Sequence, residues 1–168
     1  MGVAFEARPA DVREVTDGDP AAAAAENARR KAQAAGGGER VLGADTIVAL
    51  DGAILPKPAG VEQARTWLRA LSGRDHDVFG GLCVVEGAQR REAQVRTRVR
   101  FRALSPAEIE WYLGTDEWRD RAGGYAIQGR GAALVAEIEG DYLNVVGLSA
   151  AALLGLLPDL LPRAASGP

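Results

Sequence analysis

The 168-residue chain has one cysteine, Cys83, one histidine, His76, and a single methionine. A lone cysteine excludes an intrachain disulfide framework and fits a reducing compartment. One histidine and one cysteine cannot assemble the usual His/Cys zinc site. His76 opens a strand and Cys83 sits in an apolar run, so neither supports a nucleophilic triad. A metal, if used, has to be held by carboxylates and water, which points to magnesium or manganese. An excess of positive charge is also missing. Twenty basic against 23 acidic side chains leave a net charge of −3, which implies no general affinity for nucleic acid. No apolar run approaches the roughly 20 residues of a membrane helix. The opening MGVAFEARPADVRE lacks the basic-then-apolar layout of a signal peptide. These absences predict a cytoplasmic protein with neither a nucleic-acid nor a membrane partner.

What remains is an ordinary globular composition, 47% hydrophobic and 26% charged. Its length predicts one domain, residues 1–168, with a substantial core. DPAAAAAENARRKAQAAGGG (19–38) predicts a helix, with Asp19 as N-cap, Pro20 at the first position and Gly36 to Gly38 as its stop. VLGADTIVAL (41–50) predicts a buried strand, followed by Asp51-Gly52 as a hairpin turn. GVEQARTWLRALSG (60–73) carries Ala64, Trp67, Leu68 and Leu71 at helical spacing. HDVFGGLCVVEG (76–87) predicts a strand whose glycines mark a bulge or a close backbone approach. REAQVRTRVRFRAL (91–104) alternates strictly, with Arg96, Arg98, Arg100 and Arg102 on one face. Ser105 and Pro106 open a third helix, and an apolar helix closes the chain before a frayed PRAASGP tail. This order predicts an α/β or α+β domain around a mixed, twisted sheet.

Asp45 breaks the apolar pattern of its strand. Burying an unpaired carboxylate is costly, so either a cap or base satisfies it or the strand delivers it to a site. A site needs company, and Glu14 and Glu26 are available acids while Lys31 and Lys57 have small or apolar neighbours. The arginine ladder reads as a solvated strand face or as partners for acids on a neighbouring strand. No aromatics interleave with it for base stacking. RAGGYAIQGRG (121–131) lacks the GK[ST] ending of a Walker loop. Gln128 within it carries the donor and acceptor that reading a base edge requires. Trp118, among Asp116, Glu117 and Asp120, marks either a lid or an anchored loop.

VLGADTIVALDGAILPKP, ARTWLRALSGRDHDV and DEWRDRAGGYAIQGRGAALVAEIEGDYLNVVGL, in this order, resemble the Maf family of nucleoside triphosphate pyrophosphatases. The resemblance runs from about Gly2 to Leu157. It implies an α/β fold of two lobes around a long twisted mixed sheet with a central cleft. It also implies metal-dependent hydrolysis of a nucleoside triphosphate to the monophosphate and pyrophosphate, with Mg²⁺ or Mn²⁺ as cofactor. Carried over, Asp45 is the general base, Glu14 and Asp45 hold the metal, Lys31 and Lys57 neutralise phosphate charge, and Gln128 contacts the base. GGYAIQG resembles the branch acting on dTTP and UTP. A homodimer is implied as well, with the apolar terminal helix a candidate interface.

The chain departs from the family pattern in places. Members normally begin with an apolar strand and a Ser-x-Ser-Pro-Arg-Arg loop, and this chain starts at Met1-Gly2-Val3, after that unit. The first strand and loop are therefore expected to be absent, leaving a sheet edge or gap. Arg121 replaces a usual lysine, Gly80-Gly81 a Thr-Gly pair, and Ser149 a proline. Two other readings compete: a non-catalytic nucleotide-binding protein linked to septum formation, and a purine pyrophosphatase of the inosine triphosphate type.

Overall fold

The computed structural model describes residues 3–36 and 40–161. Gly37 and Gly38 of the expected helix stop, and the tail from residue 162, lie outside the described residues. Among these described residues, five strands form one sheet: β1 (Val41–Leu50), β2 (Ala53–Leu55), β3 (Asp75–Glu86), β4 (Gln89–Phe101) and β5 (Val135–Glu139). Their order is β2-β1-β3-β4-β5. Five α-helices of the described residues accompany them: α1 (Pro20–Ala35), α2 (Val61–Leu71), α3 (Pro106–Leu113), α4 (Tyr142–Val146) and α5 (Ala150–Leu156). The expected α/β class is what the chain adopts. The sheet was expected to be mixed, yet all four described pairings are antiparallel. Asp51-Gly52 and Gly87 turn the chain straight back at β1–β2 and β3–β4, with positive φ at all three residues. Tight hairpins join only antiparallel strands, whereas a parallel pair needs a crossover.

Local chemistry explains the elements. Asp19 accepts a hydrogen bond from the Ala22 amide and caps α1, and Pro20 sits at its first position. Ser105 and Glu108 form a reciprocal capping box on α3. The alternation of β4 buries Thr97, Val99 and Phe101. Its outward arginines meet acids, Arg96 on Asp77, Arg98 on Glu139, and Arg100 on Asp75 and Glu137. The ladder is thus a paired outer face. α4 forms in a stretch expected to hold only loop and short strands, because Asp141 accepts from the Leu143 and Asn144 amides and caps it. Trp118 is buried and its indole donates to the Leu113 carbonyl, so its loop is anchored.

The largest core lies where α2 and α3 cover the sheet, around Leu68, Leu71, Val78, Phe101, Tyr112 and Leu134. α1 covers the opposite face through alanines. Gly43 and Gly81 are the close approaches: a Cβ on Gly43 would sit 2.1 Å from the Ala28 carbonyl oxygen, and one on Gly81 2.2 Å from that of Ala24. No bulge interrupts the pairing of β3 with its neighbours, so its glycines serve close packing. Among the described residues, β2 pairs only with Val48–Leu50 of β1, and nothing among them pairs with the outer edge of β1 from Val41 to Ile47. No helix of the described residues is long and apolar enough to cross a membrane.

Candidate active site

Asp45 lies in the middle of that open edge, on the face of β1 that α1 covers. Because Gly43 and Gly81 bring α1 onto the sheet, the side chains one and two turns along the helix reach the carboxylate. Asn27 donates from Nδ2 to Asp45 Oδ2 at 2.9 Å, and the Lys31 ammonium donates to Oδ1 at 2.5 Å. Asp45 is only 9% exposed, so both contacts lie in a weakly screened setting. The two readings of Asp45 left open by the residues coincide here. It is satisfied by a nearby base, and it lines a cleft.

Glu14 comes from an irregular strap that crosses α1. Three hydrogen bonds hold that strap: Val15 N to Asn27 Oδ1 at 2.7 Å, Asn27 Nδ2 to the Val15 carbonyl at 3.1 Å, and Arg30 to the Arg13 carbonyl at 2.8 Å. Val15 also packs on Ala23, Ala24 and Ile47. Glu14 thereby reaches Lys31 at 2.7 Å, and Lys57 lies 3.4 Å from each of its oxygens. Burial works against ionising Glu14, but the ammoniums of Lys31 and Lys57 outweigh it and hold its carboxyl below the ordinary range. Burial likewise works against a charged Lys31, and the carboxylates of Asp45 and Glu14 outweigh it and raise its pKa.

Lys57 follows β2 in a Pro-Lys-Pro run. Pro58 is buried, and a Cβ on the neighbouring Gly124 would lie 3.6 Å from it. The prolines fix the backbone on both sides of Lys57, whose side chain stays half exposed at the rim.

Two adjoining hollows, of about 170 and 210 Å³, share Asp45, Thr46, Lys57 and Ala122. Each is smaller than the roughly 300 Å³ of a small-molecule pocket, but joined across the sheet edge they make one cleft. Glu14 and Asn27 line the first, while Lys31, Asp120, Arg121 and Tyr125 line the second. The wall at residues 122–125 depends on Gly123, whose φ is +68°, where a Cβ would meet Val48 at 2.8 Å.

Asp45, Glu14, Lys31 and Lys57 therefore converge. Glu26, the other available acid, faces outward and pairs with Arg29 and Arg30. Gln128 is exposed and lines neither hollow. Its loop is pinned from below, where Glu117 accepts the Arg130 amide at 2.7 Å. Asn27 was not among the residues singled out from the sequence. An asparagine four residues before Lys31, on the alanine face of α1, was the available signal. Tyr125 was missed as well. It hydrogen-bonds His76 at 2.8 Å within the core, so His76 supports the cleft wall without entering the cleft. Burial pushes the His76 pKa down to about 4, and the Cys83 thiol is pushed up by burial and stays in the core.

Among the described residues, no three His, Cys, Asp or Glu side chains gather into a metal cluster. The donor set nevertheless fits a hard cation. Two carboxylates meet on one positive group, and Mg²⁺ is commonly held by one or two carboxylates with water and substrate phosphates.

A family model described as "Maf-like protein" matches residues 1–160. The dTTP/UTP pyrophosphatase of Anaeromyxobacter dehalogenans strain 2CP-C is 46% identical over 162 residues, 94% of this chain and 84% of the relative. That of Anaeromyxobacter sp. strain Fw109-5 is 48% identical over 163 residues, 94% of this chain and 80% of the relative. The dTTP/UTP pyrophosphatase of Pyrococcus furiosus is 51% identical over 119 residues, 71% of this chain and 63% of the relative, so that match spans less than two thirds of the relative's length.

Proposed function

The chain belongs to the Maf-like family, and on that premise we propose that it hydrolyses dTTP and UTP to the monophosphate and pyrophosphate. The observation that carries the proposal is the convergence of Asp45, Glu14, Lys31 and Lys57 on one cleft at an open sheet edge. Relatives covering most of the chain carry the name dTTP/UTP pyrophosphatase, which supports the choice of substrate.

In this reading Asp45 accepts the proton of the attacking water. Without metal, Asn27 and Lys31 each engage one of its oxygens, and Asn27, itself held by Val15, fixes the plane of the carboxylate. Water adds to the α-phosphorus, the bond to the bridging oxygen breaks, and pyrophosphate leaves with that oxygen. General-base assistance supplies about 10²–10⁴-fold, and the rest falls to charge stabilisation by the clamp. Lys57, at the rim, and Lys31 neutralise the phosphates. Gln128 sits on the loop that follows Tyr125 and is assigned to the base edge. Glu14 and Asp45 would hold Mg²⁺ or Mn²⁺, which would supply electrophilic stabilisation of phosphate oxygen. The functional unit is taken as one domain, residues 1–168, acting as a cytoplasmic homodimer.

The test is pyrophosphate release from dTTP, UTP, CTP, GTP and ITP, each with Mg²⁺, Mn²⁺ or chelator. Metal-dependent release favouring dTTP and UTP is expected. Release favouring ITP overturns the pyrimidine assignment, and nucleotide binding without release overturns the hydrolase.

A further inference from the structure

Among the described residues, the cleft lining carries no net positive charge. Lys31, Lys57 and Arg121 line it, and so do Glu14, Asp45 and Asp120, so the formal charges cancel. A polyanionic triphosphate gains little from Lys31 and Lys57, which already sit against Glu14 and Asp45. Lys31 is the most committed of them, because its Nζ bridges Glu14 and Asp45.

The partners of Asp45 differ in their freedom to leave. Asn27 is buried and makes three hydrogen bonds, two of them lashing the strap to α1. Lys31 keeps a flexible four-carbon stem and a compact point charge. Its side chain is partly exposed, and it also lines the second hollow beside Lys57 and Arg121. Space is therefore available into which the ammonium can turn.

We propose that Lys31 is the resident counter-ion of the Glu14–Asp45 pair and exchanges with a divalent cation, freeing its ammonium for the substrate phosphates. This rests on the functional reading above, which places the metal at those two carboxylates. Their spacing is set by sharing one cation, and Mg²⁺ accepts such a pair readily. The exchange also answers the charge deficit. Replacing a single by a double charge at the carboxylates leaves the cleft with a free lysine where none existed before.

The test is Mn²⁺ binding to the full chain without nucleotide, read from the paramagnetic resonance signal of free Mn²⁺. Wild type, Lys31→Met and Lys31→Arg are compared. Removing the competing charge in Lys31→Met is expected to tighten Mn²⁺ binding by at least about tenfold, a change of about 1.4 kcal/mol. Lys31→Arg keeps the competitor and stays near wild type. The melting temperature of Lys31→Met, lowered in chelator by the unpaired carboxylates, rises again with Mn²⁺. Unchanged or weaker Mn²⁺ binding in Lys31→Met overturns the exchange, and Lys31→Gln repeats the comparison if the methionine variant does not fold. Pyrophosphate release by wild type separates the two readings. Metal-dependent turnover without tighter binding in Lys31→Met removes only the exchange, and tighter binding without any wild-type turnover removes only the hydrolase.

Discussion

Replacing Gly43 by alanine adds one methyl group and is expected to disable the site without touching a charged residue. The new Cβ would lie 2.1 Å from the Ala28 carbonyl oxygen and 2.5 Å from the Ala32 amide nitrogen, both backbone atoms of α1. Neither can rotate away, so the helix itself must retreat by about 1 Å to reach van der Waals contact. Overpacking of this kind costs about 1–3 kcal/mol, which in a domain of this length lowers the melting temperature by roughly 2–12 °C. The same retreat carries Asn27 away from Asp45 and shifts Lys31 relative to the cleft, and a misplacement of about 1 Å costs on the order of 10²-fold in rate. Calorimetry and pyrophosphate release measure the two effects together. Gly155→Ala is the control: it lies inside α5, and a Cβ there would meet nothing within 4 Å, so alanine is expected to stabilise by about 0.5–1 kcal/mol. A Gly43→Ala protein that melts and turns over like wild type would refute the idea that small-residue packing of α1 sets the site.

Further outcomes follow from single side chains. Asn27→Ala leaves the Val15 amide and carbonyl and one Asp45 oxygen without their partner. It should lower stability by about 2–4 kcal/mol in urea unfolding and reduce turnover, and a stability loss with turnover intact would contradict its orienting role. His76 is held neutral, its pKa pushed down to about 4, against about 6.5 when unfolded. Between those values only the unfolded chain takes up the proton, so the contribution of His76 is complete above about 6.5 and is lost as pH falls towards 4. Comparing unfolding free energies at pH 7 and 4.5, wild type should lose about 2–3 kcal/mol more than His76→Asn, and equal losses would contradict the assignment.

The elements were readable because each carried its own local signal. Asp19-Pro20, Ser105-Pro106 and Asp51-Gly52 mark boundaries that the structure reproduces, and the period-2 run of β4 buried the face it predicted. Asp45 stood out because a carboxylate in an apolar strand needs a reason. What stayed hidden depends on contacts between distant segments. Asn27 looks like any polar residue of a helix until Gly43 and Gly81 bring α1 onto the sheet. The short capped helix α4 was concealed in a stretch with strand-like composition, and the antiparallel pairing throughout depends on how hairpins are joined. Gln128 has the right chemistry for a base edge, yet its exposure outside the hollows could not be read from its motif.

Asp45→Asn tests the central claim most directly, because amide replaces carboxylate with almost no change in volume. The measurement is single-turnover hydrolysis of dTTP with Mg²⁺, with nucleotide binding followed in parallel. The account predicts a rate lowered by about 10²–10⁴-fold, with pyrophosphate as the product in wild type and nucleotide still bound by the variant. Full turnover by Asp45→Asn would contradict it.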